Sequence, residues 1–393
     1  MVNETMYGLG SKRSSIREIF EYAKTRAAEI GAENVFDFSI GNPSVPAPEA
    51  VQKAIEDLLK ETPSTLLHGY TSAQGDQSAR DTIAANYAKR FGVPLSGDDL
   101  YMTCGAAASL TISLHALANE ADEAVVFAPY FAEYRVFVEG AGMKLVVVPS
   151  DEKTMQPNLA ALKKAVNART KVVLINSPNN PSGAVYGAET LKGIAEILQE
   201  QSQKNGSPVY LLSDEPYREL VYDKETAVES PFKYYKDTLV CYSYSKSLSL
   251  PGERIGYIAV NPAMAEAKRV YAAVCGAGRA LGYVCAPALF QRVAAKCDGL
   301  TADIGVYKRN RDLLYTALTK YGFTCIYPDG AFYLFVKAPE GDAKAFCARA
   351  RKYELLFVAG DDFGYEGWVR IAYCVPTERI ERALPLFERL AKE

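Results

Sequence analysis

Short apolar runs rich in β-branched residues recur along the first two thirds of the chain: "DLYMTCG", "EAVVFAPY", "KLVVVPS", "KVVLINSP", "PVYLLSDE", "TLVCYSYS" and "RIGYIAV". Each has the length of a strand and little alternation between polar and apolar positions, the pattern of a strand buried on both faces. Most of the gaps between them carry helix-period segments such as "AASLTISLHALA", "NLAALKKAVNA" and "AETLKGIAEILQEQ". Such alternation predicts an α/β fold in which a mostly parallel sheet is sandwiched by helices. The last third changes character, and "RNRDLLYTALTKYGF", "GAFYLFVKAP", "DAKAFCARARKYE" and "WVRIAYC" predict a smaller α+β domain. A helix beginning near Ser14 is expected to pack with that domain, because "APEAVQKAIEDLLKE" already reads as the entry to the large one. The expected division is a large domain over 46–285 and a small domain made of 1–45 together with 286–393.

Composition narrows the function more than the fold. With 393 residues, 49% of them hydrophobic, the chain buries a sizeable core. Forty-four basic against forty-seven acidic residues leave a net charge of -3, which supplies no field for nucleic acid or an anionic membrane. The opening "MVNETMYGLGSKRSSIREIF" lacks the apolar core of a signal peptide, and no later segment has the uninterrupted apolar length of a membrane span, so a cytoplasmic protein is expected. Eight cysteines without a C-x-x-C pair read as reduced thiols. Two histidines, His68 and His115, argue against a histidine-rich metal site.

The chemistry gathers where predicted strands end: "TCGAAAS", "APYFAEY", "NSPNNPSG", "SDEPY" and "YSYSK". In open α/β sheets ligands bind beyond the carboxyl ends of the strands, so several such clusters imply one site built around one sizeable ligand. Lys246 in "YSYSK" serves as an amine nucleophile only if desolvation or nearby positive charge, such as Arg254, lowers its proton affinity. By itself it also reads as an exposed lysine at a strand end. Asp214 emerges from the buried run "PVYLLS", a costly position unless the carboxylate is paired. Facing a pyridine nitrogen, it would keep that nitrogen protonated and make the ring the electron sink of pyridoxal phosphate; the plainer reading is a cap on the following turn. Tyr217, three residues on, is within reach of the ring's phenolic oxygen.

The turn "TCGAAAS" presents the N–H groups of Gly105, Ala106 and Ala107 at a predicted helix start, which suits a phosphate and equally suits plain helix-on-sheet packing. Ser243, Ser245 and Arg254 supply hydroxyl donors and a cation for the same cup. Asn180 in "NSPNNPSG" sits in an extended turn fixed by prolines and aims an amide at the crevice. Phe131 stacks on a pyridine ring or simply fills core. Arg370, inside the apolar run "WVRIAYC", grips a substrate carboxylate or forms an ordinary buried ion pair.

Taken in order and spacing, these segments resemble the class I/II aminotransferases of the fold-type I pyridoxal-phosphate enzymes over essentially the whole chain. The resemblance implies that Lys246 in "SYSKSLSLPGERIGY" is the Schiff-base lysine and general base, and that Asp214 contacts the ring nitrogen. Tyr217 and Asn180 contact the phenolate oxygen, Phe131 stacks on the ring, and Ser243, Arg254 and the "CGAAA" amides hold the phosphate. Gly41 in "SIGNP" and Arg370 in "VRIAY" serve the substrate carboxylate. Tyr70 in "GYTSAQGDQSAR" reaches the phosphate of a neighbouring subunit, which implies a homodimer with shared sites. Arg279 in "CGAGRALGYVCAP" lies roughly where part of the family places an arginine against a dicarboxylate's distal group. The chain departs from the family at "AGDDFG", where "PGxxFG" is common, and the phosphate turn has no hydroxyl or lysine side chain after its glycine.

The implied activity is ping-pong transfer of an amino group from an L-amino acid, aspartate first among them, to a 2-oxo acid such as 2-oxoglutarate. A β-eliminating C–S lyase has nearly the same constellation and would release pyruvate and ammonia. A non-catalytic, cofactor-sensing regulator on this fold needs an appended DNA-binding module, for which the N-terminal segment is too short.

Overall fold

A computed structural model of the chain describes residues 2–11 and 15–393. Ser14, the expected helix start, lies outside the described residues; the helix itself runs Ser15–Ile30. After a short strand β1 (Phe36–Asp37), the seven apolar runs form the strands β2 (Leu100–Thr103), β3 (Glu123–Ala128), β4 (Lys144–Pro149), β5 (Thr170–Asn176), β6 (Tyr210–Asp214), β7 (Thr238–Ser243) and β8 (Gly256–Val260). They make one sheet in the order β2-β8-β7-β6-β5-β3-β4. Only β8 runs against its neighbours, pairing antiparallel with both β7 and β2. The sheet is thus mostly parallel, and helices carry the chain between most of its parallel members, while β6 and β7 are joined by a long loop with one short helical turn, Pro231–Lys233.

Burial explains the sequence pattern. Every residue of β2, β3, β6, β7 and β8 is buried. Helix Ala106–Leu117 packs Leu110 and Leu114 on one face with β3 and β7, while helix Ala188–Asn205 packs Leu191, Ile194 and Leu198 on the other. A solvated sheet face would have needed polar residues at alternate positions; none of these strands has them.

The C-terminal part forms a second sheet from β9 (Cys325–Ile326), β10 (Tyr333–Lys337), β12 (Val358–Ala359) and β13 (Trp368–Ala372), all antiparallel, while β11 (Leu355–Leu356) pairs with β1. Helices Ile304–Lys320 and Thr377–Ala391 cover it, and one cluster joins Phe36 and Phe38 from the N-terminal segment to Phe357 and Phe387. Helix Ala288–Cys297 lies beyond the expected boundary at residue 285, yet its Val293, Ala294 and Cys297 are buried with Val51, Leu58 and Ile83 of the large layer. Its apolar stripe finds its partner there, so packing carries the large layer on to about residue 297.

Among the described residues no helix is long and apolar enough to cross a membrane, and no group of three or more His, Cys, Asp or Glu side chains is placed to hold a metal. The eight cysteines are free thiols.

Candidate active site

β5, β6 and β7 lie side by side in parallel, with Asn176 opposite Asp214 and Asp214 opposite Cys241, so their carboxyl ends deliver side chains to one edge. The chain then leaves β7 directly into the helical turn Tyr244–Ser247, started by Ser243, whose hydroxyl accepts from the Ser245 N–H. That turn carries Lys246. A cavity of about 290 Å³ opens above these ends. Gly41, Ala106, Ala107, Phe131 and Asn180 line it, as do Asp214, Tyr217, Ser243, Ser245, Lys246, Arg254 and Arg370. Each of these is a residue to which the sequence points, and they come from both sheets and from the segment after β1.

Lys246 is partly buried, and its Nζ donates to the Gly41 carbonyl at 2.8 Å. Among the described residues no carboxylate pairs with it. Burial lowers its pKa to about 8, with the positive charges of Arg254 and Arg370 adding to the effect and Cys374 opposing it. A neutral amine is therefore within reach near physiological pH.

Asp214 is buried at the end of β6. Its Oδ2 accepts from the Tyr134 hydroxyl at 2.5 Å, and its Oδ1 has no partner. Burial raises its pKa to about 7, the Tyr134 hydrogen bond works the other way, and the charge of Glu215 adds to the rise. Such a carboxylate lacks a cation or donor on its open side. Tyr217 meets Tyr333, hydroxyl to hydroxyl at 2.9 Å, and burial pushes the Tyr217 phenol well above its ordinary range.

At the opposite side Gly105, with φ at 85°, starts helix Ala106–Leu117. A side chain there would be strained, and its Cβ would lie 3.0 Å from Nη2 of Arg254, so glycine lets that guanidinium come up to the helix N-terminus. Arg254 also reaches Ser245 Oγ at 3.4 Å, and Ser245 Oγ sits 2.8 Å from Ser243 Oγ. N–H groups at a helix start, hydroxyls and a guanidinium around one concavity are the donors that an anion would need. Because the "CGAAA" turn has no polar side chain after its glycine, its share of the donors is backbone.

Arg370 is buried in β13. Its Nη1 donates to Asn180 Oδ1 at 3.0 Å and its Nη2 to the Ser39 carbonyl, while Nε has no partner. The guanidinium lies over the rings of Tyr333 and Phe363, 4.6 and 4.8 Å from their centroids. Among the described residues no carboxylate forms an ion pair with it.

Two expected residues stand apart. Tyr70 is 98% exposed, in a separate groove beside Leu66 and Tyr271. Arg279 is exposed in the last turn of helix Ala267–Ala280 and does not line the cavity. Conversely, Asn176, Tyr333, Ile16 and Ile40 line the cavity without having been singled out. Asn176 ends "KVVLIN" just as Asp214 ends "PVYLLSD", and that signal was available. Nothing local marks Ile16 or Tyr333, which reach the site through packing of the N-terminal helix and β10.

The model of the family described as aminotransferase class I and II matches residues 33–386. The chain belongs to that family. It is a pyridoxal-phosphate-dependent aminotransferase. It is 29% identical over 389 residues to a probable aspartate aminotransferase of Methanocaldococcus jannaschii, covering 96% of this chain and 97% of that protein. An aromatic-amino-acid aminotransferase of Thermococcus litoralis is 28% identical, covering 97% and 96%. Among solved structures, an aminotransferase from Eubacterium rectale superposes with a TM-score of 0.98 at 55% identity, covering all of this chain and 98% of that one. The residues present fit the cofactor of the family: an amine held partly neutral, a buried carboxylate oxygen without a partner, and an anion cradle at a helix N-terminus.

Proposed function

We propose that this aminotransferase moves the amino group of aspartate to 2-oxoglutarate by a ping-pong sequence, with Lys246 as its base. The observation that carries the reading is the meeting of the Lys246, Asp214 and Arg370 side chains around one cavity, with Asp214 Oδ1 and Arg370 Nε buried and without partners among the described residues. Arg254, Ser243, Ser245 and the amides of Gly105, Ala106 and Ala107 would hold the cofactor phosphate. Asp214 would face the ring nitrogen, Tyr217 and Asn180 the phenolate oxygen, and Phe131 the ring face. The cofactor supplies an aldehyde for the substrate amine and a ring that takes up the electron pair left at the α-carbon.

The chain does the rest. Arg370 grips the substrate α-carboxylate, with Asn180 fixing the guanidinium and Gly41, which has no side chain to displace the Tyr333 hydroxyl, lining the same cavity. That grip places the α-hydrogen toward Lys246, whose Nζ takes the proton once the amine is neutral. Asp214 stays ionised when a positive ring nitrogen stands against Oδ1. Ile16, Ile40 and Leu110 form apolar wall and exclude water from the proton transfer. The enzyme acts as a homodimer in which Tyr70 of one subunit reaches the phosphate held by the other.

Support for aspartate comes from relatives of that name and from Arg279, which a second subunit would bring to the distal carboxylate. The apolar wall favours a second reading, an uncharged or aromatic donor, because both arginines lining the cavity already have assigned anions. Single-turnover spectra with aspartate and phenylalanine decide between them. Aspartate should convert the yellow holoenzyme and 2-oxoglutarate restore it, and Arg279→Leu should slow aspartate about 10-fold or more while sparing phenylalanine. Conversion by phenylalanine alone establishes the second reading, and pyruvate with ammonia from a cysteine thioether would make the protein a lyase.

A further inference from the structure

Asn176 takes no part in the roles assigned above, yet it lines the cavity and is buried. Its Nδ2 donates to the main-chain carbonyl of Asp214 at 2.9 Å and lies 3.5 Å from Oδ2 of the same residue. Its Oδ1 accepts from the Asn180 N–H at 2.7 Å. The amide cannot be turned round: an oxygen in place of Nδ2 would face a carbonyl, and a nitrogen in place of Oδ1 would face an N–H. One side chain therefore joins the end of β6 to the turn that presents Asn180, and Asn180 in turn holds Arg370.

We infer that Asn176 is a positioning residue that sets the separation between Asp214 and the Asn180–Arg370 pair, all of which line the ligand cavity. Asp214 and Arg370 both line the cavity, each with a buried polar atom, Oδ1 and Nε, that has no partner among the described residues, and their usefulness depends on where the two side chains stand relative to each other. β5 and β6 fix only the register of the strands; the turn 177–180 leaves the sheet and needs a tie of its own. Serine has one hydroxyl and a shorter reach, so it cannot span both partners. A carboxyl of the same shape keeps the acceptor for Asn180, but offers a donor to Asp214 only when protonated.

The inference rests on the cavity being the cofactor site, and the test separates the two. Cofactor-free wild type, Asn176→Ala, Asn176→Ser and Asn176→Asp are titrated with pyridoxal phosphate from pH 5.5 to 8.5, with the visible band giving the dissociation constant and thermal unfolding measured in parallel. Wild type should bind. The alanine and serine variants should bind about 10-fold or more weakly. The isosteric Asn176→Asp variant should be as weak at pH 8.5, with a deficit relative to wild type that narrows as the pH falls and its carboxyl regains the donor. If wild type does not bind, the site assignment fails. If wild type binds and the variants match it, or if the deficit of Asn176→Asp is the same at every pH, the positioning role is overturned, whatever happens to the unfolding temperature.

Discussion

Tyr134 donates a hydrogen bond from its hydroxyl to Oδ2 of Asp214 across 2.5 Å, and the other oxygen of that carboxylate has no partner among the described residues. The pair comes from different elements, helix Glu133–Gly140 and the end of β6, and both side chains are buried. The Tyr134 hydroxyl, with Asn176 Nδ2 farther off at 3.5 Å, orients the carboxylate but does not compensate its charge, which is why burial still prevails and the carboxyl stands at about 7.

A stability consequence follows with a definite sign. Between pH 4 and 7 the folded cofactor-free protein holds a proton on Asp214 that the unfolded chain has released, so this group's contribution is present at low pH and lost as pH rises toward 7. Cofactor-free Asp214→Asn should be more stable than wild type at pH 8, by roughly 1–4 kcal/mol, and no more stable near pH 4. Turnover of the same variant should fall by about 100-fold or more, because a neutral amide does not hold a positive ring nitrogen. Equal melting curves at both pH values would remove the unpaired buried charge from the account.

The lowered pKa of Lys246 is open to a direct chemical reading. With its pKa at about 8, Lys246 of the cofactor-free protein should react with trinitrobenzenesulfonate along a pH profile centred there, whereas exposed lysines follow one centred near ~10.4. Peptide mapping of the labelled protein gives both curves at once. Lys246→Ala should abolish turnover and leave the far-ultraviolet spectrum and unfolding temperature essentially unchanged; an active variant would sink the central assignment.

Arg370 is held by Asn180 and the Ser39 carbonyl, so its planar fork arrives pre-oriented. Arg370→Lys keeps the charge and loses the fork. Its kcat/KM for amino acid and 2-oxo acid should both drop, by about 10- to 100-fold, with KM carrying much of the change. A loss confined to one of the two substrates would mean that Arg370 reads something other than the carboxylate they share.

Gly105→Ala combines a strained backbone with pressure on Arg254. Gly92 also has a positive φ, of 67°, but open space around it. Gly92→Ala should lose about 1–2 kcal/mol of stability from the left-handed conformation and Gly105→Ala, whose ψ of 175° lies in a region other residues hardly enter, about 1–3 kcal/mol, and only Gly105→Ala should weaken the binding of pyridoxal phosphate as well. Equal cofactor affinity in the two variants would show that the helix N-terminus does not depend on the Arg254 approach.

Much of the molecule was written in the order of its residues. Seven apolar runs became the seven strands of one sheet because a strand covered on both faces must be apolar throughout, a pattern visible without coordinates. Lys246, Asp214, Asn180 and the Gly105 turn were legible for a related reason: polar groups that interrupt apolar runs at strand ends have a small set of physical uses. What sequence order does not encode is which runs become neighbours. The strand order β6-β5-β3 and the antiparallel entry of β8 follow from packing between distant segments, and so does the transfer of helix Ala288–Cys297 to the large layer. The same holds at the site. Tyr134, Asn176 and Tyr333 meet Asp214, Asn180 and Tyr217 through bonds spanning from 4 to 116 positions along the chain, and each of these side chains, taken locally, is an ordinary core tyrosine or a strand-end amide. Residue chemistry determined which groups had to find partners; only the tertiary fold decided which partners they found, and which atoms were left open for a ligand.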